Sequence, residues 1–154
     1  MARRSRKTKP VATLHGVLGE YEKLEPLLSA GEARGRVWTL SRLREMRAQG
    51  TPLVERVPST YDLLDLHREM FGSIFEWAGS IRTGECGPGG IVPVPSSNIR
   101  IELKNLADDL RVWIQVALEV QADLELETVA CIIADAHHRF QWIHPFDDTN
   151  GRTG

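Results

Sequence analysis

From Ser59 onward the apolar residues recur at three- and four-residue spacing. Leu63, Leu64, Leu66, Met70, Phe71, Ile74 and Phe75 make a wide stripe that predicts an amphipathic helix, with Ser59 or Thr60 placed to cap its start and Trp77-Ala78-Gly79 near its end. A second set, Ile99, Leu103, Leu106, Leu110, Trp113, Ile114 and Ala117, predicts a helix opened by Ser97 or Asn98. A third helix is predicted over Leu126–Ile143, where Val129, Ile132, Ile133, Ala136, Phe140 and Ile143 keep the same register. Nearer the start, Leu40, Leu43 and Met46 predict a helix from about Thr39 to Gln49, with Gly50 as its stop. No stretch sustains the alternation of a half-buried strand. The expected fold class is therefore all-α, or mainly α.

Polar and breaker-rich stretches punctuate these helices. Pro52 and Pro58 bracket a connector, and "TGECGPGGIVPVPSSN" (83–98) reads as a loop whose Ile91-Val92 pair suits a short extended flap rather than a central strand. The resulting organisation is a disordered basic arm over 1–16, a helical extension over 17–58, and a main domain over 59–154.

Composition narrows the class without fixing a function. A chain of 154 residues that is 42% hydrophobic and 26% charged suits one globular domain with a core of its own. Cys86 and Cys131 are too few for a disulfide framework, and no apolar run is long enough to span a membrane, so a cytoplasmic protein is expected. The first ten residues hold five basic groups and no acidic ones, whereas the rest carries 14 basic against 21 acidic. An acidic body argues against a general nucleic-acid surface. A short basic arm is expected to be a solvated tail. Trp38, Trp77, Trp113 and Trp142 fall in or beside amphipathic segments and read as core, and His137 and His138, about 100° apart on a helix, make a poor chelate.

The chemistry is concentrated in "HPFDDTNGRTG" (144–154), directly after the third apolar helix. Pro145 forbids simple continuation of that helix and drives His144 out of the α region. Phe146, alone among polar neighbours, is expected to plug into the core as an anchor. Asn150-Gly151-Arg152 offers backbone N–H groups and a guanidinium fork suited to an anion. Asp147 and Asp148 beside a phosphate call for an intervening cation, and Mg²⁺ held by a carboxylate plus substrate phosphates supplies one. His144 has a side chain suited to taking a proton from an alcohol. Together these parts describe phosphoryl or nucleotidyl transfer to a hydroxyl.

His144-Pro145-Phe146-Asp147-Asp148-Thr149-Asn150-Gly151-Arg152 closely resembles the Fic motif, HPFx(D/E)GNGRxxR. The upstream "LHREMFGSIFEWAGSIR" (66–82) and "AHHRFQWI" resemble the start of a Fic core, so the likeness spans about 59–154. The basic arm, "HREMFG" and "WAG" are also similar to the bacterial Fic proteins called mobile mystery protein B. The resemblance implies a Fic-type helical bundle with a short flap hairpin. It implies His144 as the base that deprotonates a target Ser, Thr or Tyr, Asp148 as the Mg²⁺ ligand, and Asn150, Gly151 and Arg152 as the anion hole for ATP. The flap that docks the target by strand pairing falls near Gly89 to Pro95, with Gly90, Ile91 and Val92 at its centre and Ile91 as clamp. The implied reaction is AMP transfer from ATP, called AMPylation, in a toxin of a toxin–antitoxin pair or a related enzyme.

Two departures from the motif bear on activity. Thr149 stands where the family has its first Gly, and the second motif Arg falls at residue 155, beyond Gly154. The expectation is a Fic domain lacking its C-terminal core helix, in which the activity of the chain is open. Many relatives carry an inhibitory (S/T)xxxE(G/N) helix. Ser41 and Glu45 match five of its six positions and Met46 fails the last, which leaves two readings: an amphipathic helix with an incidental Ser and Glu, or Glu45 as an in-cis brake. A small antitoxin acting in trans is the alternative. Three classes stay open: an adenylyltransferase, a Doc-like phosphotransferase (disfavoured because that variant has Lys where this chain has Gly151), and an inactive relic or nucleotide-binding module.

Overall fold

The computed structural model describes residues 24–84, 92–120 and 125–154. Among them are five α-helices: α1 (Leu24–Ala48), α2 (Thr60–Phe71), α3 (Ile99–Val120), α4 (Leu126–Ile143) and the single turn α5 (Asn150–Thr153). Short 3-10 turns at Leu53–Arg56 and Ser96–Asn98 lead into α2 and α3. The all-α reading holds.

The first helix is twice the length that its apolar pattern predicts. Its early half contains Gly31 and Gly35, which read as weak points of a helix in isolation. Both are buried against α2, and a Cβ on Gly31 would lie 2.5 Å from the Met70 carbonyl while one on Gly35 would lie 2.6 Å from Met70 Cγ. Missing side chains let the two backbones approach, and packing offsets the intrinsic cost of glycine. Arg34 strengthens the contact by donating Nη2 to the Met70 carbonyl at 2.7 Å and Nε to the Glu69 carbonyl at 3.3 Å, near the C-terminal end of α2. At the far end Gly50 takes φ +73°, and Thr51 N–H donates to Met46 O and Gly50 N–H to Arg47 O, a Schellman close.

The start of α2 is fixed by Ser59. Its hydroxyl accepts from Asp62 N–H at 3.2 Å while Asp62 Oδ2 accepts from Ser59 N–H at 2.9 Å, a reciprocal capping box. The helix stops at Phe71 rather than near Gly79, because the chain turns through Gly72 and reaches φ +79° at Gly79. Ile74 and Phe75 are nonetheless fully buried, so their apolarity reports the core and not a continuing helix.

Two clusters make up the interior. Leu64, Val94, Ile99, Leu103, Leu106, Phe140, Ile143 and Phe146 join α2, α3, α4 and the loop after α4. Leu24, Met70, Phe71, Ile74, Phe75 and Ala78 seat the start of α1 on the end of α2, with Trp77 between the clusters. The predicted stripe of α4 is buried only at its end: Phe140 and Ile143 are enclosed, but Ile133 is 62% exposed. The open side of α4 and α3 borders an apolar cavity of about 550 Å³ lined by Leu63, Leu106, Leu110, Ile114, Ile132 and Phe140, among others. Trp142 is 47% exposed and so is not a core residue, and His137 and His138 are both exposed. No described helix is long and apolar enough to cross a membrane.

Candidate functional site

The loop of residues 144–149 is held between the end of α4 and the turn α5. Helix α4 closes with His144 N–H donating to Phe140 O at 3.0 Å, and His144 itself takes the left-handed conformation at φ +50°. Pro145 accounts for the exit from the helix, since its ring disfavours the α region for the residue before it. A non-glycine residue at positive φ is strained unless its surroundings enforce it. Arg82 is the enforcing group. Its guanidinium is buried and donates Nε to His144 O at 2.6 Å, Nη1 to Gly84 O at 2.7 Å, and Nη2 to Val94 O and Ile143 O. Its backbone N–H donates to Pro145 O at 2.9 Å. One side chain thus ties the His144 bend to the two strands of chain, at Gly84 and Val94, that flank the flap region.

His144 is partly buried, and its Nδ1 makes no hydrogen bond within the described residues. Burial, and to a lesser degree the Arg82 cation, pulls its pKa below the usual 6.5, against the Gln141 backbone carbonyl and, more weakly, the Asp148 carboxylate. The imidazole is therefore neutral at neutral pH, the state in which a nitrogen can accept a proton.

Phe146 is fully buried and stacks on the His67 ring at a centroid distance of 3.7 Å. Asn150 closes the loop: its Oδ1 accepts from Phe146 N–H at 2.9 Å and its Nδ2 donates to Phe146 O at 2.8 Å. Both ends of the Asn150 amide are thereby engaged in clamping the loop, so a part for Asn150 in the expected anion hole falls to its backbone N–H at the start of α5. Gly151 is exposed with open space above its Cα, where a Cβ would meet nothing within 4 Å. Beside it lies a cavity of about 560 Å³ bordered by Glu32, Arg36, Leu66, Met70, Gly151 and Arg152, among others, which falls in the range of small-molecule sites.

Asp147 is exposed and Asp148 half-buried. Asp148 Oδ1 accepts from Thr149 N–H at 2.6 Å, which fixes the carboxylate while leaving its other oxygen without a donor among the described residues. No group of three His, Cys, Asp or Glu suited to a metal exists among the described residues. A lone, oriented carboxylate fits Mg²⁺ that arrives with phosphate oxygens, and does not fit a free-standing metal site.

Arg152 is engaged elsewhere. Its Nη1 donates to Glu32 Oε1 at 2.6 Å and its Nη2 to Glu25 Oε2 at 3.0 Å, so α1 supplies two carboxylates where the sequence suggests phosphates. Ser41 and Glu45 are not part of this contact. Glu45 is exposed and pairs with Arg42 at 3.7 Å, thirteen residues past Glu32 and so roughly 20 Å further along α1. The α1 acids that meet Arg152 are Glu25 and Glu32. The 3.6-residue period carries no information about which turn of α1 crosses α5, so the sequence offered no signal for them. Of the flap residues, Gly90 and Ile91 lie outside the described residues, and Val92 is 84% exposed.

His67 was visible only as part of "LHREMFG". In the structure it is enclosed by Phe71, Trp77 and Phe146, accepts Gly79 N–H at Nδ1 (2.8 Å), and meets Thr149 Oγ1 at 2.9 Å through Nε2. Burial lowers its pKa to about 4. Thr149 sits at φ +62°, the left-handed conformation that a glycine takes without strain.

Comparison with known proteins gives the family. The profile of a family described as the Fic/DOC family matches residues 58–154. A 93-residue segment, 60% of this chain, is 32% identical to the protein adenylyltransferase fic-1 of Caenorhabditis elegans and covers 16% of that protein.

Proposed function

Because this chain belongs to the Fic/DOC family, we propose that it is a protein adenylyltransferase that moves AMP from ATP to a Ser, Thr or Tyr hydroxyl of a target protein. The observation that carries the reading is His144: a half-buried imidazole, kept neutral by burial and Arg82, at the mouth of a loop whose next carboxylate is the oriented Asp148. Mg–ATP, the substrate, brings the electrophilic phosphorus and the positive charge that a phosphate needs beside Asp148. His144 takes the hydroxyl proton as the target oxygen bonds to the α-phosphorus. The bond from that phosphorus to the β-phosphate oxygen breaks, and pyrophosphate leaves. General-base help of this kind contributes typically about 10²–10⁴-fold. The Gly151 backbone and the cavity beside it offer room for the phosphates, and Arg152 joins them once it exchanges Glu25 and Glu32 for an anion.

Incubation of the chain with target lysate and ATP labelled at either the α- or the γ-phosphate tests this. Label entering protein from α-labelled ATP, and lost in His144→Ala, is the expected result. Label from the γ-position alone replaces the proposal with phosphotransfer. No label from either leaves a nucleotide-binding or inactive domain.

A further inference from the structure

We propose that His67 is a positioning residue that acts through Thr149, holding the turn that aims Asp148 and Gly151; this rests on reading the loop as a Mg–nucleotide site. The direction of the hydrogen bonds follows from one donor. Gly79 N–H donates to His67 Nδ1 at 2.8 Å, so that nitrogen carries no proton. The neutral ring then bears its proton on Nε2, which faces Thr149 Oγ1 at 2.9 Å and donates to it. Because the Asp148 carbonyl can only accept, the Thr149 hydroxyl donates its own proton to Asp148 O at 2.7 Å. The hydroxyl is fixed at both ends and cannot rotate.

Every polar group of Thr149 serves the same turn. Its N–H holds Asp148 Oδ1 at 2.6 Å, and its carbonyl accepts from Arg152 N–H at 3.0 Å, Thr153 N–H at 3.1 Å and Thr153 Oγ1 at 3.0 Å. A β-branched residue at φ +62° is disfavoured by contact of Cβ with the backbone. A glycine would take that conformation freely, but would take away the hydroxyl that the buried imidazole N–H faces at 2.9 Å. His67 and Thr149 are therefore a matched pair: the hydrogen bond offsets the backbone strain, and the hydroxyl satisfies the ring. Stacking of His67 between Phe146 and Trp77 sets the plane in which Nε2 points.

Two measurements on the full chain test the pairing. Without ligand, ¹⁵N spectra of labelled histidine should show His67 neutral at neutral pH, protonated at Nε2, with a slowly exchanging proton that Thr149→Val disturbs and Thr149→Ser retains. With Mg–ATP, Thr149→Val should weaken binding about tenfold, the worth of one buried hydrogen bond, while Thr149→Ser stays near wild type. His67→Phe should weaken it similarly when Thr149 is present, and adding Thr149→Gly should recover most of the loss, because glycine needs no bond to hold the turn. Thermal midpoints of each variant separate a loss of aim from a loss of fold. A proton on Nδ1, a freely exchanging Nε2–H, or equal losses in His67→Phe and His67→Phe/Thr149→Gly would overturn the proposal. If the wild-type chain binds no Mg–ATP, the nucleotide-site reading falls, and with it the role of the pair in aiming ligands. The ligand-free tautomer and the exchange of the Arg152 and Thr153 amides then report the latch by itself.

Discussion

At residue scale, single polar side chains hold a loop that the sequence shows only as a string of turn formers. Asn150 satisfies both polar groups of the buried Phe146 peptide units. Asn150→Ala strands a buried donor and a buried acceptor, at a cost on the order of 3 kcal/mol, which equilibrium denaturation measures as a lower midpoint at unchanged slope. His144 gives a second expectation. Its lowered pKa means that the deprotonated base forms below the pH at which an ordinary histidine titrates. The rate of protein labelling should rise with pH through an inflection under 6.5 and be flat at neutral pH and above. An inflection at or above the ordinary value would show that another group is the base. His144, Asp148 and Arg152 stand out in the sequence as candidates because their types and order are local. The occupancy of Arg152 by Glu25 and Glu32 does not, because those partners lie more than a hundred residues away.

At the scale of elements, α1 is the part that the apolar pattern under-reads. Its glycines carry the contact with α2, so Gly35→Leu forces side-chain atoms into Met70 and should cost about 1–3 kcal/mol, seen as a fall in thermal midpoint. The same helix presents Glu25 and Glu32 to Arg152 across a partly exposed pair of contacts. Such pairs are worth about 0.2–1 kcal/mol each, so Glu25→Gln/Glu32→Gln should tighten Mg–ATP binding by roughly two- to thirtyfold if Arg152 serves phosphate. Glu45→Ala, far along the helix, should leave binding unchanged. Titration calorimetry on the three proteins checks both. The ends of α2 and α4 differ in how well sequence located them. Pro145 bars continuation of α4 within one residue, whereas the apolarity of Ile74 and Phe75 extends past the end of α2 because a buried turn needs apolar residues as much as a helix does.

For the whole molecule, the two core clusters meet around His67 and Trp77, and the loop of the site is plugged into that junction by Phe146. Stability and site geometry are thus coupled. His67 is neutral in the fold with a pKa of about 4, against 6.5 when unfolded. Between those values the unfolded chain binds the extra proton, so stability falls as pH drops from about 6.5 to about 4 and is level above that window. The shift is worth on the order of 3 kcal/mol for this group. Denaturation midpoints across that range check it, and His67→Gln should flatten the slope.

The sequence by itself determined the all-α class, the extents of α3 and α4, the buried anchor Phe146 and the family, because helical periodicity, proline stops and a contiguous motif are all written within a few turns of chain. Tertiary structure decided the rest. It set the length of α1 through glycine packing, gave Asn150 its role as a clamp, joined Arg82 to the His144 bend, and paired His67 with Thr149. Each of these depends on which groups meet across distant segments once burial makes an unmet hydrogen bond expensive.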